Sequence, residues 1–256
     1  MYEGKEGLDH DDESSAWYRA RRYFIGVVAL SLALIFLFTV TGRWLSVFAG
    51  PAFAFLRESW ALSDDPLVEE LRGSVVRVYV DGRSGAAGGQ MRGTGFNLEP
   101  DGLVVTNRHM VEGASSVRVS FPDMGTFTVQ HWTVYPDADL AVLDLQAEGL
   151  PAVPVSEVPA YPGQEVLIIG NPLQFARVAN RGEVVGYRNN PQSDIPLIVV
   201  EAMIYPGSSG SPVFNEQGEV VGVVFATLRN SDPAEVRGLA VSASELKLFL
   251  NEIDLD

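Results

Sequence analysis

The chain has 256 residues, 46% hydrophobic and 20% charged, with a net charge of −15 and a pI near 4.5. Acidity spread along the chain excludes a nucleic-acid partner, because phosphate binding needs a basic stripe. Cysteine is absent, which excludes disulfides, a thiol nucleophile and Cys-ligated zinc. Residues 1–18 are polar and acidic, the composition of a disordered tail, and Arg19, Arg21 and Arg22 follow. From Tyr23 to Gly42 the chain carries no charge. About 20 such residues cross the roughly 30 Å hydrocarbon core of a bilayer as a helix. Three arginines before the run, against Arg43 after it, put the N-terminus in the cytoplasm and the folded part outside, periplasmic or extracellular. A signal peptide cut near Ala52-Phe53-Ala54 is the rival; the long apolar run and the distance to that site favour a retained single-pass anchor.

Trp44–Leu56 is apolar and aromatic, short for a second crossing and interrupted by Pro51. It suits either a membrane interface or a partner subunit. Residues 43–69 form a juxtamembrane segment and linker that includes Asp64-Asp65-Pro66, with a short helical turn over Leu67–Leu71.

From residue 70 to 256 the pattern is that of short strands followed by one helix. Val75–Val80, Thr94–Leu98, Leu103–Thr106, Val117–Phe121, Thr126–Val134 and Leu140–Leu145 form a first group of strands. Asp81–Arg92 is a glycine-rich loop, and Glu99-Pro100-Asp101-Gly102 gives a hairpin turn. Proline-rich Ala147–Pro159 leads to a second group: Val166–Ile169, Arg181–Tyr187, Leu197–Ile204, Pro212–Phe214, Val220–Leu228 and Gly238–Val241. Ser244–Ile253 predicts an amphipathic helix capped by Ser244, with Leu246, Phe249, Leu250 and Ile253 on one face. Many short strands separated by turns indicate an all-β barrel or sandwich, and two groups of about six suggest two similar halves.

Tyr205-Pro206-Gly207-Ser208-Ser209-Gly210-Ser211-Pro212 lies between two strand-like runs. Such a small-residue loop can present a serine hydroxyl beside unbonded backbone amides, the requirement of acyl transfer; it can equally be a plain connection. A base decides between these. His10 lies in the acidic tail, and His131 sits in a strand, where a structural or surface imidazole is the ordinary case. His109 stands at a strand exit after Val104-Val105-Thr106-Asn107-Arg108, where it is held rigidly and still faces a cleft. A carboxylate to orient it is offered by Asp139, which opens the apolar run Leu140-Ala141-Val142-Leu143, 30 residues after His109 and 70 before Ser209. Asp137 is a nearby competitor, and Glu112 suits a solvated helix start. The order His, Asp, Ser is that of the chymotrypsin-type arrangement.

Four ordered motifs carry a resemblance to HtrA-type serine proteases of the trypsin-like fold, over about residues 70–250. Gly93-Thr94-Gly95-Phe96 with Asp101 to Val111 resembles the family's His segment, and Asp139-Leu140-Ala141-Val142-Leu143 its Asp segment. Ile169-Gly170-Asn171-Pro172 with Arg181-Gly182-Glu183-Val184 is similar to its Gly-Asn-Pro loop, and Glu201 to Pro212 to its nucleophile segment. The resemblance implies two six-stranded antiparallel β-barrels, about 70–150 and 160–243, with the site between them and a C-terminal helix over 244–253. It implies Ser209 as nucleophile, His109 as base and then acid, Asp139 as orienter, and the amides of Gly207 and Ser209 as the oxyanion hole. Ala226, Thr227 and Leu228 would pair with extended substrate. Met203 would sit at the base of the primary specificity pocket and select an apolar residue. No cofactor or metal is expected.

The partners implied are exported or misfolded polypeptides, the membrane, and two further copies in a trimer. A peptide-binding module that keeps the fold without turnover is the alternative. Ser208 and Ser211 stand where the family usually has Asn and Gly, and Gln174-Phe175-Ala176-Arg177 replaces a glycine-rich continuation. With the chain ending at Asp256, no PDZ domain is expected.

Overall fold

The computed structural model describes residues 54–82, 90–191, 193–229 and 236–253, together with Arg21, Ile25, Gly26, Val28, Leu30, Ser31, Leu32 and Phe36. Those eight earlier positions are helical. Among the described residues no helix is long and apolar enough to cross a membrane. The span expected over 23–42 lies for the most part outside the described residues, as do the polar tail and residues 37–53. The chain divides into two compact units, Met1–Ala54 and Phe55–Asp256. The second holds the candidate site.

Two helices lead into the second unit, α1 (Ala54–Ala61) and α2 (Pro66–Ser74). Asp65 caps α2 by accepting from Leu67 N at 3.0 Å, and Pro66 fills the first turn, where no N–H is needed. Leu62, Val68 and Leu71 bury into the same core as Val75, Phe96 and Phe214. Ser59 Oγ accepts from Ala179 N at 3.1 Å, and Glu58 Oε1 from Arg181 N at 2.7 Å. The packed unit therefore begins before the expected limit at residue 70. Asp64, Glu69 and Glu70 of this stretch face water, as does Trp60, while Leu62, Val68 and Leu71 are buried.

Seven strands follow: β1 (Val75–Asp81), β2 (Met91–Asn97), β3 (Leu103–Thr106), β4 (Ser116–Phe121), β5 (Gly125–Thr128), β6 (His131–Tyr135) and β7 (Leu140–Asp144). A single helical turn, α3 (Arg108–Val111), leaves β3. The sheet order is β5-β4-β1-β2-β3-β7-β6. The expected closed six-stranded barrel is corrected here to an open seven-stranded sheet. The run expected as one strand over Thr126–Val134 breaks at Val129-Gln130, so its halves pair with β4 and β7 at opposite edges. Laid flat, seven strands would hold their edges about 29 Å apart. Three Cα steps from Thr128 to His131 reach at most about 11 Å. The sheet must curl, and it does so around Val78, Val104, Val119, Phe121 and Leu143.

The second group closes as expected into a six-stranded barrel: β8 (Glu165–Gly170), β9 (Val178–Arg188), β10 (Leu197–Glu201), β11 (Pro212–Phe214), β12 (Val220–Arg229) and β13 (Val236–Ser242). Ile168, Val184, Ile198, Val200, Val213 and Val224 fill it. The final helix, α4 (Ala243–Ile253), is capped by Ser242 rather than Ser244: Ser242 Oγ accepts from Glu245 N at 3.2 Å. Phe249 stacks on Tyr135 at 4.8 Å between centroids, and this binds the C-terminal helix to the first sheet. Phe96, Val105, Leu140, Ile169, Phe214 and Val223 form one apolar cluster shared by sheet and barrel. That shared core fixes the two halves against each other.

Candidate active site

Pairing of β3 with β7 brings the end of one strand beside the start of the other, with Thr106 opposite Ala141. His109 and Asp139 therefore meet despite their separation in sequence. Asp139 grips His109 twice: Oδ1 accepts from the backbone N–H at 2.8 Å, and Oδ2 lies 2.5 Å from Nδ1. Asn107 Nδ2 donates to the Asp139 carbonyl at 2.9 Å and fixes the carboxylate's own backbone. The Asp139 side chain is 14% exposed and the His109 side chain 38%. A carboxylate accepts only, so Nδ1 carries the proton and Nε2, on the far side of the ring, is the basic nitrogen. The other candidates sit elsewhere. Asp137 and Glu112 are exposed, and His131 is exposed on β6 opposite Asp144. His10 lies outside the described residues.

Ser209 lies between β10 and β11 in a loop built of successive turns, with Ser208 N on Tyr205 O at 2.9 Å and Ser211 N on Ser208 O at 3.0 Å. Both halves of the fold hold this loop. Thr94 N, on β2, donates to Ser209 O at 2.9 Å, and Gly210 N donates to Val224 O, on β12, at 2.8 Å. Gly210 has φ +83°, and a Cβ there would stand 2.0 Å from the Thr94 carbonyl oxygen, so no other residue fits. Pro206 O accepts from Leu173 N at 2.9 Å. The C=O and N–H of a trans peptide point opposite ways, so the Gly207 N–H is aimed away from Leu173. Among the described residues neither the Gly207 nor the Ser209 N–H has an acceptor. These are the two donors expected from the sequence.

Sequence reasoning gave no role to Thr94 and Asn171, which join the halves beneath this loop. The fully buried Thr94 hydroxyl donates to Gly207 O at 2.8 Å and accepts from Asn171 N at 2.9 Å. Thr106 Oγ1 donates to Thr94 O at 2.8 Å, and Asn171 Nδ2 to Val76 O at 2.9 Å. The available signal was a polar side chain inside a buried strand, which must find partners. Ser211, where the family usually has glycine, puts its Oγ 2.1 Å from where a Cβ on Gly170 would stand. Gly170 thus makes room for it.

The residues expected to bind substrate lie along the barrel side. Met203 is half-buried just after β10, Ala226 and Leu228 are half-buried, and Thr227 is exposed. β11 pairs with β12 as far as Val223, and Val224 still bonds Gly210 and Ser211, so beyond Val224 β12 has a ladder partner on the β13 side alone among the described residues. Phe225, next to that edge, and Asp139 line a cavity of about 270 Å³ with Arg188, Leu197 and Val241.

Comparison with known proteins bears on the family and the fold of the chain. The family model described as a trypsin-like peptidase domain matches residues 93–223, just over half of the chain. A probable periplasmic serine endoprotease DegP-like of Marinomonas sp. is 37% identical over 134 residues, 51% of this chain and 29% of that protein. Its counterpart in Chlamydia trachomatis is 33% identical over 171 residues, 65% of this chain and 34% of that protein. The chain thus spans about a third of the length of these curated relatives. Among solved structures, the active form of the Rv3671c protease from M. tuberculosis superposes with a TM-score of 0.63 at 27% identity, covering 73% of this chain and 83% of that one. The HtrA-type protease AlgW with a tripeptide shares the fold, with a TM-score of 0.63 at 23% identity over 73% of this chain and 61% of that one.

Proposed function

The chain belongs to the family of trypsin-like peptidase domains, and on that premise we propose that it is a serine endopeptidase of the HtrA type that cleaves polypeptides through an acyl-enzyme. Ser209 Oγ attacks the scissile carbonyl while His109 Nε2 takes its proton, then returns it to the leaving amine. Asp139 holds Nδ1–H in place and stabilises the imidazolium. The amides of Gly207 and Ser209 receive the developing oxyanion, with Thr94 and the Leu173–Pro206 bond fixing the aim of the Gly207 peptide. The observation that carries this reading is the double grip of Asp139 on His109, at 2.8 and 2.5 Å. It is the device that sets an imidazole's tautomer and direction at once.

On the acyl side, extended substrate adds as a strand to the edge at Ala226-Thr227-Leu228, and Met203 gives an apolar primary pocket. The uncharged run Tyr23–Gly42 anchors the chain in a membrane with the peptidase unit outside, where exported or misfolded polypeptides are the substrates. That placement is supported by the arginines before the run and by the periplasmic names of the relatives. The same reading carries a homotrimer with contacts from the segment ahead of the first sheet, where Trp60 is 70% exposed. The test is digestion of an unfolded polypeptide by the full chain and by Ser209→Ala, with the fragments sequenced. Wild type should give new C-termini at apolar residues and the variant none. Equal fragments from both would refute the assignment, and capture without cleavage by wild type would favour a binding module.

A further inference from the structure

We infer that Leu173 forms an apolar subsite beyond Gly207 that selects apolar side chains in the two substrate residues after the scissile bond. The inference rests on the endopeptidase reading. A cavity of about 810 Å³ opens beside the Gly207 amide, lined by Leu173, Pro206 and Gly207 and, from the first sheet, by Arg77, Tyr79 and Gly93. Among the described residues it shares no lining residue with the cavity at Asp139 and Phe225. A peptide whose acyl part runs along β12 and crosses Ser209 continues past Gly207 into this cleft.

Leu173 stands in a conformation that a leucine rarely takes. Its φ is +51° and its ψ +28°, the left-handed region, where Cβ crowds the following carbonyl oxygen. Glycine takes this conformation without the clash, and asparagine visits it readily. The turn is held by backbone donors. Leu173 N donates to Pro206 O and Phe175 N to Pro172 O, each at 2.9 Å. Asn171 Oδ1 accepts from Arg177 N at 3.0 Å and closes the loop. A glycine at 173 would make the same bond to Pro206, so the loop itself does not require the leucine side chain.

Nor does the core take that side chain up, since Leu173 is 46% exposed. Backbone strain of this kind gathers at functional sites. What the side chain does line is the cavity. With the exposed Pro206, whose carbonyl it holds, Leu173 makes the wall next to Gly207 apolar. The loop also approaches the oxyanion glycine closely. Gly207 has φ +97°, and a Cβ there would stand 2.6 Å from Asn171 O and 3.5 Å from Leu173 N. A substrate residue emerging past Gly207 therefore meets this wall. An apolar side chain there covers Leu173 and Pro206 and removes both surfaces from water, which a polar side chain of the same size does at the cost of its own hydration.

The test uses internally quenched peptides identical up to the scissile bond, carrying two leucines or two asparagines in the positions after it. With the full wild-type chain the leucine peptide should be preferred about tenfold in kcat/KM, the scale of discrimination in a hydrophobic pocket. In Leu173→Gly the ratio should fall towards one, and in Leu173→Met it should persist. A ratio cancels any general loss of rate from a loosened oxyanion loop. Leu173→Gly should melt close to wild type, because relief of the left-handed strain offsets the freedom that glycine adds to the unfolded chain. A fall of more than about 10 °C would make the side chain a packing element and overturn the assignment, as would a leucine preference that survives in Leu173→Gly. The wild-type comparison needs no variant, so it stands whatever Leu173→Gly does to folding. A fluorophosphonate, whose leaving group is only fluoride, separates the two failures. Labelling with equal cleavage of both peptides overturns this inference alone. Neither labelling nor cleavage overturns the endopeptidase reading and this inference with it.

Discussion

Replacing Thr94 with valine removes one hydroxyl from beneath the nucleophile loop at little cost in volume. In the native chain that hydroxyl donates to Gly207 O at 2.8 Å and accepts from Asn171 N at 2.9 Å. Thr94 is fully buried and Asn171 is 5% exposed, so bulk water does not reach the partners left behind. Each stranded buried group costs about 1–3 kcal/mol. Gly207 is only half-buried, so a loss of about 2–4 kcal/mol is expected, lowering Tm by about 4–16 °C for a unit of this size. The rate should fall as well, because the Gly207 carbonyl is held by this bond and the Gly207 amide is one of the oxyanion donors. Removing such a donor outright costs about 100- to 1,000-fold, so a loosened one should cost about 10- to 100-fold. The assay is the rate of fluorophosphonate adduct formation by intact mass, run beside a melting curve, with Thr94→Ser as the rescuing variant. Labelling of Thr94→Val at the native rate would refute the reasoning. Equal impairment in Thr94→Ser would shift the effect to the methyl group.

Two further outcomes concern the frame around the site. Glu245 is 2% exposed at the start of α4 and accepts from Ser193 Oγ at 3.1 Å. Burial raises its pKa, Asp137 raises it further, and hydrogen bonds from Ser193 and Tyr135 oppose the rise. The folded state then holds this proton more tightly than the unfolded chain does. Its stabilising contribution is complete below the ordinary Glu value and lost as pH rises through the raised one. Melting of wild type against Glu245→Gln should therefore show wild type losing ground with rising pH through that window, and a constant difference would contradict the account. Ser59→Ala strands the buried N–H of Ala179 and frees Arg72 from Ser59 Oγ, so urea unfolding should show a loss of about 1–3 kcal/mol. An unchanged midpoint would mean that α1 does not brace the barrel.

Local patterning carried most of the strand positions. Leu103–Thr106 and Pro212–Phe214 have the expected bounds, because each is a short apolar run closed by polar or glycine residues. The misread parts depend on what lies across from them. Thr126–Val134 keeps a strand-like composition through its bend; only its two different partners, β4 and β7, show that it must break at Val129-Gln130. Residues 55–69 look like part of a linker because their acidic side chains outnumber the few apolar ones that pack. The meeting of His109 with Asp139 was legible because a base and a carboxylate stood in recognisable contexts in the order that the resemblance implies. The Thr94–Asn171 pair was not, since a threonine between two glycines shows its role only when Asn171, 77 positions away, and Gly207, 113 away, are seen against it.

The central claim is that Ser209 is the nucleophile. The measurement that tests it most directly is intact-mass and peptide mapping of the full chain after treatment with a fluorophosphonate. The account predicts one adduct, on Ser209, formed by wild type, absent in Ser209→Ala and slowed in Asp139→Asn by orders of magnitude, about 10,000-fold where the imidazole takes the wrong tautomer. An adduct of equal yield in Ser209→Ala, or its location on another serine, would contradict it.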